Sequence, residues 1–399
     1  MLKKNIFSNV SETAINILAP LVVIPQIISS LGVDAYGHYV VLVAEAAIYV
    51  VILEFGFGMF FSKQASIFRE DRKLINNLLW IFISVRCVLS ILVYTCLSAF
   101  SGHSQDQVII LSILVSSQLL NISPIISGLE MYSTMARLQL ISKVLMVLMV
   151  FMTDFDVLGV EKALIIQALT WTFLTGSLLF VYVRKYGLYN YSASPKYIIN
   201  VFQASLPYYG AKLLVNLYQQ ASTYFVSFFL VAELVAVYSV SIQLYKVGQA
   251  IIGAVAKVVY TTTVKTKNFL VVKNATKVSL CIHLFFLPIV VFFGESLLEI
   301  IFPMDVKTLY TTSLLLYISL FFVIVSAYFG YPVMSAINKD NYGHLGILFS
   351  SVSYMISFFV IYKFNMIGIY SVVCCILVAD FVGMIVRFYY VCKFNVLKV

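Results

Sequence analysis

Long apolar runs divide this chain into twelve segments, each bounded by charged residues or by residues typical of turns. The runs are about 20 residues long, which is the length that an α-helix needs to cross the hydrocarbon core of a bilayer. The pattern therefore predicts twelve transmembrane helices. Their approximate ranges are 13–30, 39–60, 78–99, 107–127, 134–153, 159–183, 207–230, 235–256, 279–302, 310–333, 344–362 and 367–391.

Composition supports the same conclusion. The chain has 399 residues, of which 62% are hydrophobic and only 11% are charged, and its mean hydropathy is +0.99. Soluble domains carry about 25% charged residues. No water-soluble core hides this much apolar surface, so soluble enzymes, nucleic-acid binders and disordered tails are excluded. We expect an all-α integral membrane protein with no sizeable soluble domain.

The distribution of Lys and Arg predicts the orientation of the spans. With the N-terminus in the cytoplasm, 19 of the 26 basic residues fall in cytoplasmic segments and 3 fall outside. Basic residues favour the cytoplasmic side of a membrane, so both termini are predicted to be cytoplasmic. The net charge of +9 then reflects topology and contact with anionic lipid headgroups. It requires no nucleic-acid partner.

The segment between the sixth and seventh spans contains Ser-Ala-Ser-Pro and is typical of a linker. The predicted organisation is an N-terminal six-helix bundle over 1–184, a cytoplasmic linker over 185–206 and a C-terminal six-helix bundle over 207–399. A short repeat agrees with two halves, because Asp34-x4-Tyr39 follows the first span and Glu233-x4-Tyr238 follows the seventh. Transporters are commonly built from such repeats.

Motifs for metals, cofactors and catalysis are missing from the sequence. The six cysteines form no C-x-x-C pair, and the four histidines form no H-x-x-x-H pair. Phosphate-binding and dinucleotide-binding glycine patterns are also absent. We expect no metal, no cofactor and no catalytic residue.

Several short motifs resemble those of polysaccharide flippases. Residues 31–39 read L-G-V-D-A-Y-G-H-Y, similar to the L-G-x-x-x-Y-G-x-Y turn of that family, and 54–58 read E-F-G-F-G at the end of the second span. Residues 123–131, 205–207 and 237–239 also fit, in order and spacing, although Ile126 and Ser127 replace the usual Trp and Gln. The resemblance covers nearly the whole chain.

This resemblance is to the Wzx-type O-antigen flippases of the multidrug/oligosaccharidyl-lipid/polysaccharide (MOP) exporter superfamily. It implies a MATE-like fold, with two six-helix bundles around a central cavity. It also implies a transporter, not an enzyme, that moves undecaprenyl-diphosphate-linked repeat units for lipopolysaccharide biosynthesis. The direction would be from the cytoplasmic to the periplasmic leaflet of the bacterial inner membrane, driven by an ion gradient. Membrane lipids, a polysaccharide polymerase and a chain-length regulator are the expected partners.

Polar residues follow one face of the seventh span and one face of the eighth. A polar stripe that includes a lysine is typical of the wall of a hydrated cavity. Interhelical hydrogen bonding stays the alternative. Amide side chains suit sugar hydroxyls, and Lys or Arg suits a pyrophosphate. Basic residues in the third and fifth spans complete the set. The predicted substrate-binding residues are Arg86, Lys143, Lys212, Asn216, Gln219, Gln220, Gln243 and Lys246.

Three acids inside the spans are candidates for ion coupling, because an ionisable group at mid-bilayer is costly and therefore usually functional. Glu54 adjoins Gly56, where a helix can bend, and belongs to the family-like motif. Asp380 lies in the middle of the twelfth span, and Glu45 lies nine residues before Glu54. Each of them could exchange a proton or bind a cation. The alternative is a buried ion pair that joins two helices.

Two other functions remain open. One is a multidrug or toxin cation exporter of the same superfamily, although basic residues outnumber acids in the spans. The other is a membrane enzyme of polysaccharide assembly, although such enzymes usually have a large outer loop, and the predicted outer connections are short.

Overall fold

The computed structural model describes the chain, with side chains from residue 15 onward, over 2–100, 104–155, 159–188, 198–206, 209 and 222–396. Within these ranges the regular structure is entirely α-helical. Nine of the described helices are long and apolar enough to cross a membrane. The chain is an all-α, multi-pass membrane protein, as predicted. It forms two compact units, Met1–Asn216 and Leu217–Val399.

Eight helices belong to the first unit, and a further helical segment covers 198–206. The eight helices are α1 (Leu2–Leu31), α2 (Val33–Glu54), α3 (Phe57–Ile67), α4 (Arg72–Phe100), α5 (Gln105–Ser116), α6 (Ser123–Gly128), α7 (Tyr132–Met152) and α8 (Gly159–Tyr186).

Seven helices are described in the second unit. They are α9 (Ser222–Val226), α10 (Ala232–Thr266), α11 (Leu270–Ile301), α12 (Val306–Phe329), α13 (Tyr331–Ala336), α14 (Asp340–Lys363) and α15 (Ile369–Lys393). Of the predicted seventh span, most residues lie outside the described ranges. The predicted division at 185–206 stays a prediction.

Eleven of the predicted spans coincide with helices, but three of them are interrupted. The predicted span 39–60 breaks between α2 and α3, because Phe55 and Gly56 have left-handed φ angles of 32° and 70°. Glycine adopts this conformation freely, whereas phenylalanine does so rarely. The Phe55 ring is held by stacking on Tyr209 at 4.5 Å and by an edge contact with Phe202 at 5.3 Å.

The predicted spans 107–127 and 310–333 each end in a short half-helix whose second residue is a proline. Pro124 lies in the first turn of α6 and Pro332 in the first turn of α13, where a missing N–H leaves no intrahelical bond unmade. Both half-helices close in the same way, with a left-handed residue at Glu130 (φ 56°) and at Asn338 (φ 58°). The two prolines are 208 positions apart, and so are the two left-handed residues. The two units therefore share the same kind of helix interruption.

A second correspondence concerns the helices that follow the first and seventh spans. Helix α2 begins at Val33 and α10 begins at Ala232, so that Asp34 and Glu233 both lie in the first helical turn. The tyrosines of the repeat, Tyr39 and Tyr238, are both buried. The repeat noticed in the sequence thus occupies equivalent helix positions in the two units.

Within the first unit, α3 and α6 approach each other unusually closely. The hydroxyls of Ser62 and Ser127 are 3.2 Å apart, and Arg69 forms an ion pair with Glu130 at 2.7 Å. A Cβ added to Gly128 would collide with the carbonyl oxygen of Ser62. Because lipid supplies little hydrophobic drive between helices, such close packing by small residues is what holds them together.

We therefore expect Gly128→Ala to destabilise the protein. The added methyl would force α3 away from α6, and overpacking of this kind costs about 1–3 kcal/mol. Gly176→Ala in α8 is the matched control, because its added Cβ meets only open space and alanine favours a helix by about 0.5–1 kcal/mol. Thermal unfolding of the two purified variants in detergent tests this. Equal melting temperatures would show that the approach at Gly128 is not tight.

Candidate functional site

Two lysines inside the membrane-spanning helices are partly exposed and make no ion pair with any described carboxylate. These are Lys143 of α7 and Lys246 of α10. The Nζ atom of Lys143 approaches the Sδ atom of Met146 at 4.0 Å, which is a weak contact for an ammonium group. Because an unneutralised charge in lipid surroundings is costly, these two side chains are candidates for binding an anionic ligand.

Helix α10 separates its packing residues from its polar stripe. Ser241 and Gly248 face α12, where Ser241 bonds Thr312 at 2.7 Å and Gly248 leaves room for Leu320. The hydroxyl of the buried Tyr245 bonds Asp380 of α15. The predicted stripe lies on other faces of the helix. Its four members, all partly exposed, are Ser239, Gln243, Lys246 and Gln249.

The ion pairs of the described part of the chain lie at helix ends. They are Arg69–Glu130 at 2.7 Å and His38–Asp34 at 3.6 Å, and both have exposed side chains. Within those ranges, pairing between charges of different membrane-spanning helices does not account for Lys143 or Lys246.

Arg86 is accommodated differently from the lysines. Its side chain is 2% exposed and lies over the Phe82 ring, with its guanidinium carbon 4.4 Å from the ring centroid. Its Nη1 atom donates to the carbonyl oxygens of Gln118 at 2.8 Å, Leu119 at 3.3 Å and Asn121 at 3.3 Å. These carbonyls belong to the interruption between α5 and α6. Arg86 therefore supplies a hydrogen-bond donor to carbonyl oxygens at the break between α5 and α6. The sequence did not reveal this role.

An arginine near the end of the last helix does the same in the second unit. The Nη1 atom of Arg387 donates to the carbonyl oxygen of Ser326 at 2.9 Å and to its hydroxyl at 2.8 Å, in the last turn of α12 before the break at Gly330. Arg387 lies near the end of the twelfth predicted span and was counted among the 19 cytoplasmic basic residues. That position gave no signal of this contact.

The two predicted acids of α2 have different surroundings. Glu45 is 2% exposed and accepts a hydrogen bond from the Tyr49 hydroxyl at 3.4 Å. Glu54 is partly exposed and is the last residue of α2, immediately before the left-handed residues Phe55 and Gly56. The expectation that the chain can bend beside Glu54 agrees with this interruption.

Asp380 of α15 is the centre of a buried polar cluster. It is 8% exposed and accepts hydrogen bonds from the Ser319 hydroxyl at 2.5 Å and from the Tyr245 hydroxyl. Three helices of the second unit, α10, α12 and α15, thus meet at one carboxyl group. The acid was predictable from the sequence, but Tyr245 and Ser319 were not, because a single hydroxyl in an apolar run carries no signal of its partner.

The predicted stripe of the seventh span has five members, of which Lys212, Asn216, Gln219 and Gln220 lie outside the described residues. The fifth, Thr223, is buried at 9% exposure. The role of the other four in substrate binding stays a prediction.

Paired units with interrupted helices, and charged side chains inside their spans, are features that many multi-pass membrane transporters share. The chain belongs to the polysaccharide biosynthesis protein family, whose model matches residues 2–267. This match confirms the resemblance to polysaccharide flippases that the motifs indicated. No curated protein sequence matches the chain.

Solved structures with the same fold come from the MOP superfamily. One is described as the lipid II flippase MurJ in an inward closed conformation (TM-score 0.77, 14% identity, 98% of this chain and 88% of that chain covered). Another is an inward-facing multidrug resistance MATE family transporter of the MOP superfamily (TM-score 0.71, 13% identity, 95% of each chain covered). A third is a MOP superfamily transporter from Pyrococcus furiosus (TM-score 0.53, 12% identity, 97% and 96% covered). At these identities the likeness establishes the fold, which is MATE-like as predicted.

We expect Arg86→Gln to lower thermal stability. The substitution removes a charged donor from three carbonyl oxygens, and hydrogen bonds to a charged group contribute about 1.5–3 kcal/mol. Lys143→Gln is the matched control, since that lysine makes no hydrogen bond to a backbone carbonyl among the described contacts. The melting temperatures of both variants in detergent measure the difference. If Arg86→Gln has an unchanged melting temperature but has lost transport, Arg86 binds the substrate, as the sequence predicts.

Proposed function

We propose that this protein is a flippase for lipid-linked polysaccharide repeat units. Its substrate would be an undecaprenyl-diphosphate-linked O-antigen oligosaccharide, moved from the cytoplasmic to the periplasmic leaflet of the inner membrane. Membership of the polysaccharide biosynthesis family carries this proposal. The likeness in fold to a lipid II flippase supports it. Both termini would be cytoplasmic, and a polymerase and a chain-length regulator would act on the product.

The partly exposed lysines support an anionic substrate. A diphosphate needs positive charge along its path, and Lys143 and Lys246 carry charge that no described carboxylate neutralises. Gln243, one helical turn from Lys246, offers an amide for sugar hydroxyls. Lys212, Asn216, Gln219 and Gln220 would extend this surface. The contacts of Arg86 favour a structural role, so the proposal does not depend on it.

For ion coupling we propose Asp380 first. A carboxyl group that is buried and bonded to two hydroxyls has its charge state controlled by its surroundings. Glu54 is the second candidate, because protonation next to the α2–α3 interruption would act where the chain already bends. Glu45 is the third, since its burial matches that of Asp380.

A cation exporter is the second candidate function, favoured by the likeness in fold to a multidrug resistance MATE family transporter. That function would draw on the same acids, Glu45, Glu54 and Asp380. The partly exposed lysines would hinder it, because they repel a cationic drug.

Deletion of the gene separates the two functions. A flippase deletion should leave lipid-linked repeat units facing the cytoplasm and remove the polysaccharide from the cell surface. A strain that keeps normal polysaccharide but becomes sensitive to cationic drugs would identify an exporter. Complementation then tests Lys246→Gln, which should reduce polysaccharide display by about ten- to a hundredfold at equal protein level, because a charge-assisted hydrogen bond is lost.

The control for that variant is Lys265→Gln, which removes an exposed charge from the same helix. Equal activity of the two variants would show that Lys246 does not contact the substrate.

We expect Asp380→Asn to uncouple transport from the ion gradient. Asparagine keeps the shape of the side chain and an accepting oxygen, but it neither binds a proton reversibly nor carries a charge. Transport in proteoliposomes, with an imposed proton or sodium gradient, measures the dependence for wild-type and variant. Glu295→Gln, which changes an exposed acid of α11, is the control. Full gradient dependence of the Asp380→Asn variant would leave Asp380 as a packing residue.

A further inference from the structure

A groove on the first unit lies between α7 and α8 and has a volume of about 470 Å³. This is within the range of about 300–1,000 Å³ that is common for small-molecule sites. Each helix contributes four residues to it. They are Thr134, Arg137, Leu138 and Ile141 of α7, and Phe180, Val181, Arg184 and Lys185 of α8. We refer to these eight residues as the α7–α8 groove.

Helix geometry separates the groove into a charged end and an apolar end. Arg137 lies in the second turn of α7, while Arg184 and Lys185 lie in the last turn of α8. Ile141 and Phe180 lie about one turn further along their helices, away from these ends. The charges therefore gather where the spans end, and the apolar side chains extend toward the middle of the membrane.

The positive charge of the groove is not neutralised within the described part of the chain. Its eight lining residues include three basic side chains and no acid. Arg137 donates through Nε to the carbonyl oxygen of Ser133 at 3.2 Å, and the Nζ atom of Lys185 lies 5.4 Å from the Tyr186 ring centroid. None of the three basic residues forms an ion pair with a described carboxylate. The groove is therefore complementary to an anion.

The apolar end of the groove faces outward. Phe180 is 65% exposed and Ile141 is 47% exposed, and exposed apolar side chains on a membrane-spanning helix are suited to contact hydrocarbon chains. A ligand that fits both ends has a negatively charged head at the membrane surface and hydrocarbon chains below it.

We propose that the α7–α8 groove binds an anionic phospholipid, with its phosphate between Arg137, Arg184 and Lys185 and its acyl chains along Ile141 and Phe180. Basic pockets between membrane helices are suited to such headgroups. The exposed apolar end of the groove favours a lipid of the surrounding bilayer over the transported substrate. This site is separate from the partly exposed lysines of the proposed transport function, so it can be tested independently.

The test is native mass spectrometry of the full-length protein in detergent, titrated with phosphatidylglycerol or with phosphatidylcholine. The variant Arg137→Gln/Arg184→Gln/Lys185→Gln should bind phosphatidylglycerol at least about tenfold more weakly than wild-type. The control Lys73→Gln/Lys265→Gln/Lys277→Gln removes the same charge from exposed positions on other helices and should bind like wild-type. All six positions are exposed or line the groove, and size-exclusion profiles check that both variants fold.

Four results would contradict the proposal. Equal loss in both triple variants would indicate general surface charge rather than a site. Equal binding of phosphatidylcholine would indicate a groove for acyl chains without phosphate recognition. Tighter binding of undecaprenyl diphosphate than of phosphatidylglycerol, lost in the groove variant alone, would assign the groove to the substrate. Glycerophosphoglycerol, which has no acyl chains, should bind much more weakly than the intact lipid, and equal affinity would exclude the apolar end from the site.

Discussion

The structure depends on the rule that a backbone carbonyl or amide in lipid must find its hydrogen-bonding partner inside the protein. Continuous helices obey it by themselves, but three of the spans that the structure describes are interrupted. At two of the interruptions a buried or partly buried arginine supplies the missing donors, Arg86 for the break after α5 and Arg387 for the break after α12. An arginine suits this task because its planar fork presents several N–H groups to neighbouring oxygens and remains charged.

The charged side chains inside the spans differ in their hydrogen-bond partners, and this difference separates two kinds. Arg86 has its charge matched by carbonyl dipoles, so its position within a span serves the fold. Lys143 and Lys246 lack comparable contacts among the described residues and keep partial exposure. Asp380 stands between these cases, since its two hydroxyl partners bury the group and also keep it in one geometry. Counting charges in spans does not distinguish these roles, whereas their hydrogen-bond partners do.

Helix positions were predictable because apolar length alone determines what crosses a bilayer. The interruptions were harder to foresee. Pro124 and Pro332 each mark the start of a half-helix, which a proline at the first helical turn permits, yet both lie inside apolar runs that read as continuous. Gly56 indicated that the helix can bend here, but Phe55 itself gave no signal, because its left-handed backbone is held by ring contacts with residues far along the chain. The partners of Arg86 and Asp380 were equally hidden, since sequence does not give distances between helices.

The contact between α3 and α6 has a mechanical consequence. The Ser62–Ser127 contact, the collision-limited approach at Gly128 and the Arg69–Glu130 pair join these two short helices at three points. The chain enters α3 through the left-handed residues Phe55 and Gly56. A change in the backbone angles of Phe55 and Gly56 would therefore move α3 and α6 together. At this end, the second and fourth spans would change their tilt together.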